Sequence, residues 1–171
     1  MASAQTFPGM SERLSRELGA MLDRYDSARL AAAARVQAAQ DEEGLFLAQF
    51  VEVARSVVRP VFEAAGEILR SRGHEFTISE DTFAARGGGS AVEAAIRLRI
   101  TPAGMDKVMR GDEDLHALAF TTRHYNKTVC IRNGAAPYEG AGEKSGYPLA
   151  RIDRQLVEDE LLKLMTALVE G

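Results

Sequence analysis

The sequence predicts an α+β fold, in which a long N-terminal helical hairpin and a C-terminal helix pack on one face of a four-stranded antiparallel sheet. Three observations support this class. Apolar residues recur every three or four positions up to residue 72, the period changes to two between residues 74 and 132, and the helical period returns near the C-terminus. Helical and strand segments that are separate along the chain are typical of α+β proteins.

The first helix is predicted from Ser11, whose hydroxyl suits an N-cap, to Gln40. Its apolar residues follow steps of mostly four and three, the heptad spacing that buries a narrow seam against another helix. We expect this stripe to form a helix–helix interface: Leu14, Leu18, Met21, Tyr25, Ala28 and Ala32, continued by Val36 and Ala39. Two arrangements satisfy the stripe equally well, packing on the second helix within the chain and pairing with a second copy in a homodimer.

The acidic residues 41–43 interrupt the stripe and are predicted to open a second helix, Leu45 to Arg72, because carboxylates favour a helix N-terminus. A continuous or kinked helix through Gly44 is the alternative. Pro60 lacks a backbone N–H and is expected to kink the helix, and Gly73 is expected to end it. The apolar stripe of this helix is predicted to comprise Phe46, Phe50, Val53, Val57, Val61, Ala65 and Ile68.

Four strands are predicted next, each from alternating apolar residues. They are His74–Ser79, Ala91–Thr101, Leu115–Tyr125 and Thr128–Arg132. The short connection between the last two favours antiparallel pairing. The stretch 133–148, rich in glycine and proline, is predicted to be a loop.

A C-terminal helix is predicted after Asp153, which suits an N-cap, with Ile152 and Val157 forming a hydrophobic staple. Its apolar stripe comprises Val157, Leu161, Leu164, Met165 and Leu168. Together these elements predict two parts. Residues 1–44 form a helical extension and candidate dimerisation arm, and residues 45–171 form the α+β domain.

Composition narrows the classes of function. The chain of 171 residues carries a net charge of −4 and only 6% aromatic residues, which argues against nucleic acid as a partner. Its single cysteine excludes an intrachain disulfide. There is no apolar run long enough to span a membrane and no secretory signal pattern, so we expect a cytoplasmic protein with no membrane partner.

No spacing typical of catalysis or metal binding is present, and we expect no cofactor and no metal. The loop 139–146 lacks the glycines of a phosphate-binding loop. His116 and His124 would lie about 26 Å apart on one strand, too far to share a metal ion. Cys130 is predicted to be a small residue on the sheet rather than a nucleophile, and the acidic residues 112–114 to be solvated. No catalytic residue is assigned, so the sequence favours a protein that is not an enzyme.

One group of residues suggests binding. Alternation along the strands places four arginines on the sheet face opposite the apolar residues, and such a face suits a carboxylate, a phosphate or an acidic protein segment. The candidate ligand-binding residues are Arg97, Arg99, Arg123, Tyr125 and Arg132. The alternative is a solvated outer face on which the arginines pair with Glu75 and Glu93.

Two functions follow as hypotheses. The first is a non-enzymatic protein-interaction module, an adaptor or a chaperone-like protein that forms a homodimer through the first helix and binds a protein partner. The second is a domain that binds a small anionic ligand on the arginine-bearing face. An enzyme that uses Arg123, His124 and Tyr125 ranks third.

Overall fold

The computed structural model describes residues 9–104, 116–134 and 143–170. The predicted acidic loop at 112–114 and half of the glycine-rich stretch, residues 135–142, lie outside these ranges. Contacts within the chain divide it into two compact units, Met1–Glu42 and Glu43–Gly171. The fold class is confirmed as α+β, with helices packed against an antiparallel sheet.

The predicted helical hairpin is wrong, because the chain does not turn at residues 41–44. Helix α1 runs without interruption over Glu12–Val53 and continues through a π-helical turn, Ala54–Val58, into α2, Arg59–Ser71. A glycine inside a helix costs only about 1 kcal/mol, so Gly44 alone does not break a helix that is anchored two residues later by buried Phe46. The predicted N-cap is confirmed, since the Leu14 N–H donates to Ser11 Oγ at 3.2 Å.

The buried face of the helix differs from the predicted stripe after Phe50. The buried residues are Phe46, Phe50, Ala54, Val58, Phe62, Gly66 and Leu69, whereas Ile68 is exposed. From Phe46 to Gly66 they are spaced by four residues, and the π-helical turn contributes to this spacing. Its wider i→i−5 bonding places one extra residue in the helix and so offsets about 100° of rotation. The turn directly precedes Pro60, whose ring would clash with the carbonyl four residues earlier in an α-helix.

The main sheet has five antiparallel strands rather than four. They are β1 (Glu75–Asp81), β4 (Ala95–Thr101), β5 (Ala117–Arg123), β6 (Thr128–Asn133) and β7 (Glu143–Tyr147), in the order β1-β4-β5-β6-β7. Strand β7 falls in the predicted loop. It carries no alternating apolar pattern, and its pairing with β6 contains a register shift.

The predicted strand 91–101 is also interrupted. Ala91–Val92 (β3) pairs with Ala84–Ala85 (β2) in a separate two-stranded ribbon, and the chain leaves strand geometry at Glu93 and Ala94. At this break the Thr122 N–H donates to the Ala94 carbonyl at 2.8 Å, and the Ala94 N–H donates to Thr122 Oγ1 at 3.0 Å. These bonds hold the Ala94 backbone against β5.

The core of the second unit lies between the inner face of the sheet and the helices. Ile96, Leu98, Leu118, Phe120, Val129 and Ile131 of the sheet are fully buried. Helix α3 (Arg154–Glu170) contributes Val157, Leu161 and Leu164, and its predicted cap is confirmed by a 2.8 Å bond from the Leu156 N–H to Asp153 Oδ1. Within the part of the chain that the structure describes, no helix is long and apolar enough to cross a membrane.

A candidate anion-binding site on the outer face of the sheet

The outer face of the central strands alternates arginine with alanine across the sheet. In one row, Arg97 of β4 pairs with Ala119 of β5, which pairs with Arg132 of β6. In the next row of β4, Arg99 pairs with Ala117. No two arginines are therefore directly opposite each other on neighbouring strands, and the repulsion that facing like charges would cause is avoided.

This alternation produces a hollow rather than a flat surface. Ala95, Ala117, Ala119 and Cys130 are buried although they are on the outer face, because long arginine side chains stand around them. The resulting cavity has a volume of about 650 Å³, within the range of small-molecule sites. Small side chains form its floor, and the arginines form its walls.

The charge of the cavity is strongly positive among the described residues that line it. The described residues that line it include four arginines, Arg97, Arg99, Arg123 and Arg132, and one glutamate, Glu93. Asp81 is 3.9 Å from Arg97, at the limit of an ion pair. A cationic cavity in a protein of net charge −4 concentrates the field that attracts an anion.

Arg123 is held in place by its neighbours. It donates to the Tyr125 hydroxyl at 3.1 Å and makes a longer contact of 3.8 Å to Cys130 Sγ. These contacts, the hydrogen bond to Tyr125 above all, raise the pKa of the Arg123 guanidinium above its ordinary value. An arginine is fully charged at neutral pH at its ordinary pKa, and the raised pKa keeps it so. A guanidinium fixed in this way loses less entropy when it binds a ligand.

Glu93 does not pair with the arginines as the alternative hypothesis required. It accepts a 2.8 Å hydrogen bond from Thr122 Oγ1 and lies 2.6 Å from His124 Nδ1. The His124 ring also packs against Phe83 and Tyr125. Glu93 thus links the irregular residues between β3 and β4 to the turn between β5 and β6, at one edge of the cavity.

All five candidate ligand-binding residues line this single cavity. The alternation of apolar and polar residues along the strands predicts that these residues share one face of the sheet. The sequence did not predict that the small residues of the floor, Ala117, Ala119 and Cys130, belong to the site. The pattern that marks these residues is alanine at outward positions of one strand, with arginine at the facing positions of the neighbouring strands. This pattern can be recognised only when the order of the strands is known.

The second predicted site, the stripe on the first helix, is exposed. No described residue from Ser11 to Glu42 is buried, and the side chains of Leu14, Leu18, Met21 and Tyr25 are between 42% and 64% exposed. Ala28 and Ala32 are exposed as well.

The described residues contain no group of three or more His, Cys, Asp or Glu side chains that could hold a metal ion. Comparisons with protein-family models, with curated proteins and with solved structures find no significant match.

Proposed function

We propose that this protein binds a small anionic ligand, a phosphate compound or a polycarboxylate, in the arginine cavity. The observation that carries the proposal is the lining of the cavity, where four arginines surround a floor of alanine and cysteine. Charge-assisted bonds from guanidinium to carboxylate or phosphate oxygens are among the strongest hydrogen bonds that proteins form. Ala117, Ala119 and Cys130 of the lining are buried, so a ligand seated against them would be partly removed from water, which strengthens those bonds further.

The spacing of the arginines favours a ligand with more than one anionic group. Arg97 and Arg132 lie on strands separated by β5, about 10 Å apart at the backbone, and Arg99 is about 7 Å along β4 from Arg97. A single carboxylate accepts bonds from one or two guanidiniums only. We therefore expect diphosphates, phosphorylated metabolites or polycarboxylates to bind more tightly than monoanions.

Thermal unfolding and calorimetry test this proposal with orthophosphate, pyrophosphate and citrate at constant ionic strength. A ligand at 100 times its Kd stabilises the folded state by about 2.7 kcal/mol, which raises the unfolding temperature measurably. The double variant Arg97→Ala/Arg123→Ala should bind at least about 100-fold more weakly, because each charge-assisted bond contributes about 1.5–3 kcal/mol.

The matched control is Arg13→Ala/Arg154→Ala, which removes the same charge from exposed helix positions outside the cavity. We expect this control to bind like the unmodified protein. Equal weakening in both double variants would mean that net charge alone attracts the anion. The absence of any shift with all three anions would refute the proposal.

A second function is favoured by the exposed stripe of the first helix. We propose that the protein self-associates through Leu14, Leu18, Met21, Tyr25, Ala28 and Ala32, because a long exposed apolar face is typical of an association surface. Leu18→Asp or Ala32→Glu should give a monomeric mass in sedimentation while circular dichroism of the fold stays unchanged. Leu30→Asp, which alters an exposed residue on the opposite side of the same helix, should leave the mass unchanged.

A further inference from the structure

The exposed stripe of the first unit has a gradient of side-chain size. Its N-terminal half carries large residues, Leu14, Leu18, Met21 and Tyr25, and its C-terminal half carries mainly alanine, at positions 28, 32 and 39. All of these residues lie on one uninterrupted helix, α1, and all are exposed. A solvated helix gains little from propensity alone, so a partner on this face would contribute most of its tertiary stabilisation.

We propose that two copies of the chain pair through this face as antiparallel helices, related by a two-fold axis that passes between Asp26 and Ser27. This inference rests on the proposed self-association and adds its geometry. Positions at equal distances on either side of the axis face each other across the pair. The axis therefore brings each large residue of one copy opposite a residue from the alanine-rich half of the other.

The facing pairs follow directly from the numbering. Leu14 faces Ala39, Met21 faces Ala32, and Tyr25 faces Ala28. Two large residues lack an alanine opposite them. Leu18 faces Arg35, whose aliphatic stem packs beside leucine while its guanidinium reaches water, and Val36 faces Glu17 at the edge of the pair. Large residues opposite small ones fill the space between helices evenly, which is how well-packed cores are built.

A parallel pair would lack this complementarity. It would set Leu14, Leu18 and Tyr25 against their own copies, and alanines against alanines. The helices would then be forced apart at one end and drawn together at the other, although packed helices keep a nearly constant separation of about 8–10 Å. The antiparallel pair gives a uniform separation and a closed two-fold dimer.

The available surface is sufficient for a stable dimer. The large apolar side chains on or beside the face are Leu14, Leu18, Met21, Leu22, Tyr25 and Val36, and each is between 42% and 64% exposed. They expose at most roughly 700 Å² per copy, so a dimer that covered all of it would bury on the order of 1,400 Å², within the range of specific interfaces. The alanines between them add to this area.

Cysteine cross-linking tests the geometry in a Cys130→Ala background, which removes the native thiol. Leu14→Cys and Ala39→Cys chains are co-expressed with distinguishable tags and oxidised. We expect a mixed disulfide between Leu14→Cys and Ala39→Cys, and no disulfide between two Leu14→Cys chains, because a disulfide needs Cα atoms within about 7 Å. The matched control, Asp23→Cys with Leu30→Cys, is equidistant from the same axis but lies on the outer side of the helix, and should not link.

The outcomes separate the two proposals. Sedimentation of the unmodified protein as a monomer would overturn self-association and this geometry with it. A dimer in which Leu14→Cys links to its own copy would overturn only the antiparallel arrangement. A dimer with the mixed disulfide, and without one in the control pair, supports both.

Discussion

Ala119 lies between two arginines on the outer face of the sheet, and its methyl group sets the depth of the cavity. It pairs with Arg97 on one side and with Arg132 on the other, and it is 5% exposed. A larger side chain at this position would occupy the space between the guanidiniums without altering a single charge. Ala119 therefore separates the contribution of cavity shape from that of electrostatic attraction.

Ala119→Leu should weaken binding of the best of the three test anions at least about tenfold, while changing stability little because the added atoms enter an open cavity. Calorimetry measures the affinity, and thermal unfolding without ligand measures the stability. Ala64→Leu, on an exposed helix position of the same unit, is the control and should not affect affinity. Undiminished affinity of Ala119→Leu would place the ligand elsewhere.

Among the elements, the helix that covers the sheet is adapted to it at two points. The π-helical turn Ala54–Val58 corrects the rotation of the buried face, and Gly66 lets β1 approach closely. A Cβ atom at Gly66 would overlap the ring of Phe76, which also lies under the Arg70 guanidinium at 4.9 Å. The glycine is thus required by packing rather than by backbone conformation.

Gly66→Ala should lower the free energy of unfolding by about 1 kcal/mol. Displacement of the Phe76 ring is expected to destabilise the folded state by more than the higher helix propensity of alanine stabilises it. Denaturant unfolding measures this change. Gly44→Ala is the matched control, since a Cβ there meets nothing within 4 Å, and it should stabilise the protein by about 0.5–1 kcal/mol. If Gly66→Ala also proved stabilising, the close approach of Phe76 would not be limiting.

The secondary-structure elements also show which features of the fold a sequence pattern can predict. Alternation predicted four strands and the common face of the arginines, because side-chain direction in a strand depends on local geometry alone. It did not predict β7, whose Glu143–Tyr147 sequence has no apolar alternation and which pairs only at the edge of the sheet. The buried stripe of the second helix shifted because a π-helical turn changes the period, and the depth of the cavity depends on which strands are neighbours.

For the whole molecule, the distribution of buried residues separates the two proposed functions. Among the described residues, those buried in the hydrophobic core lie between Phe46 and Leu164, and those that line the arginine cavity lie between Glu93 and Arg132. The exposed stripe lies entirely within residues 14–39. The two proposed functions, ligand binding and self-association, therefore involve different parts of the sequence.

A fragment of residues 43–171 should unfold cooperatively, bind the test anion with unchanged affinity and sediment as a monomer. Its new N-terminus begins with Glu43, an acidic residue that favours the start of a helix. Sedimentation, thermal unfolding and calorimetry measure the three properties. A fragment that keeps a dimeric mass would place the association surface outside the first helix.

The position of Cys130 has a practical consequence. It is the only cysteine of the chain, and its sulfur lies at the floor of the arginine cavity beside Arg123. The unmodified protein therefore carries a natural reporter of occupancy. A bound anion should slow alkylation of this thiol, so the rate of labelling, followed by mass spectrometry, offers a way to screen mixtures of cellular metabolites for the one that fills the cavity.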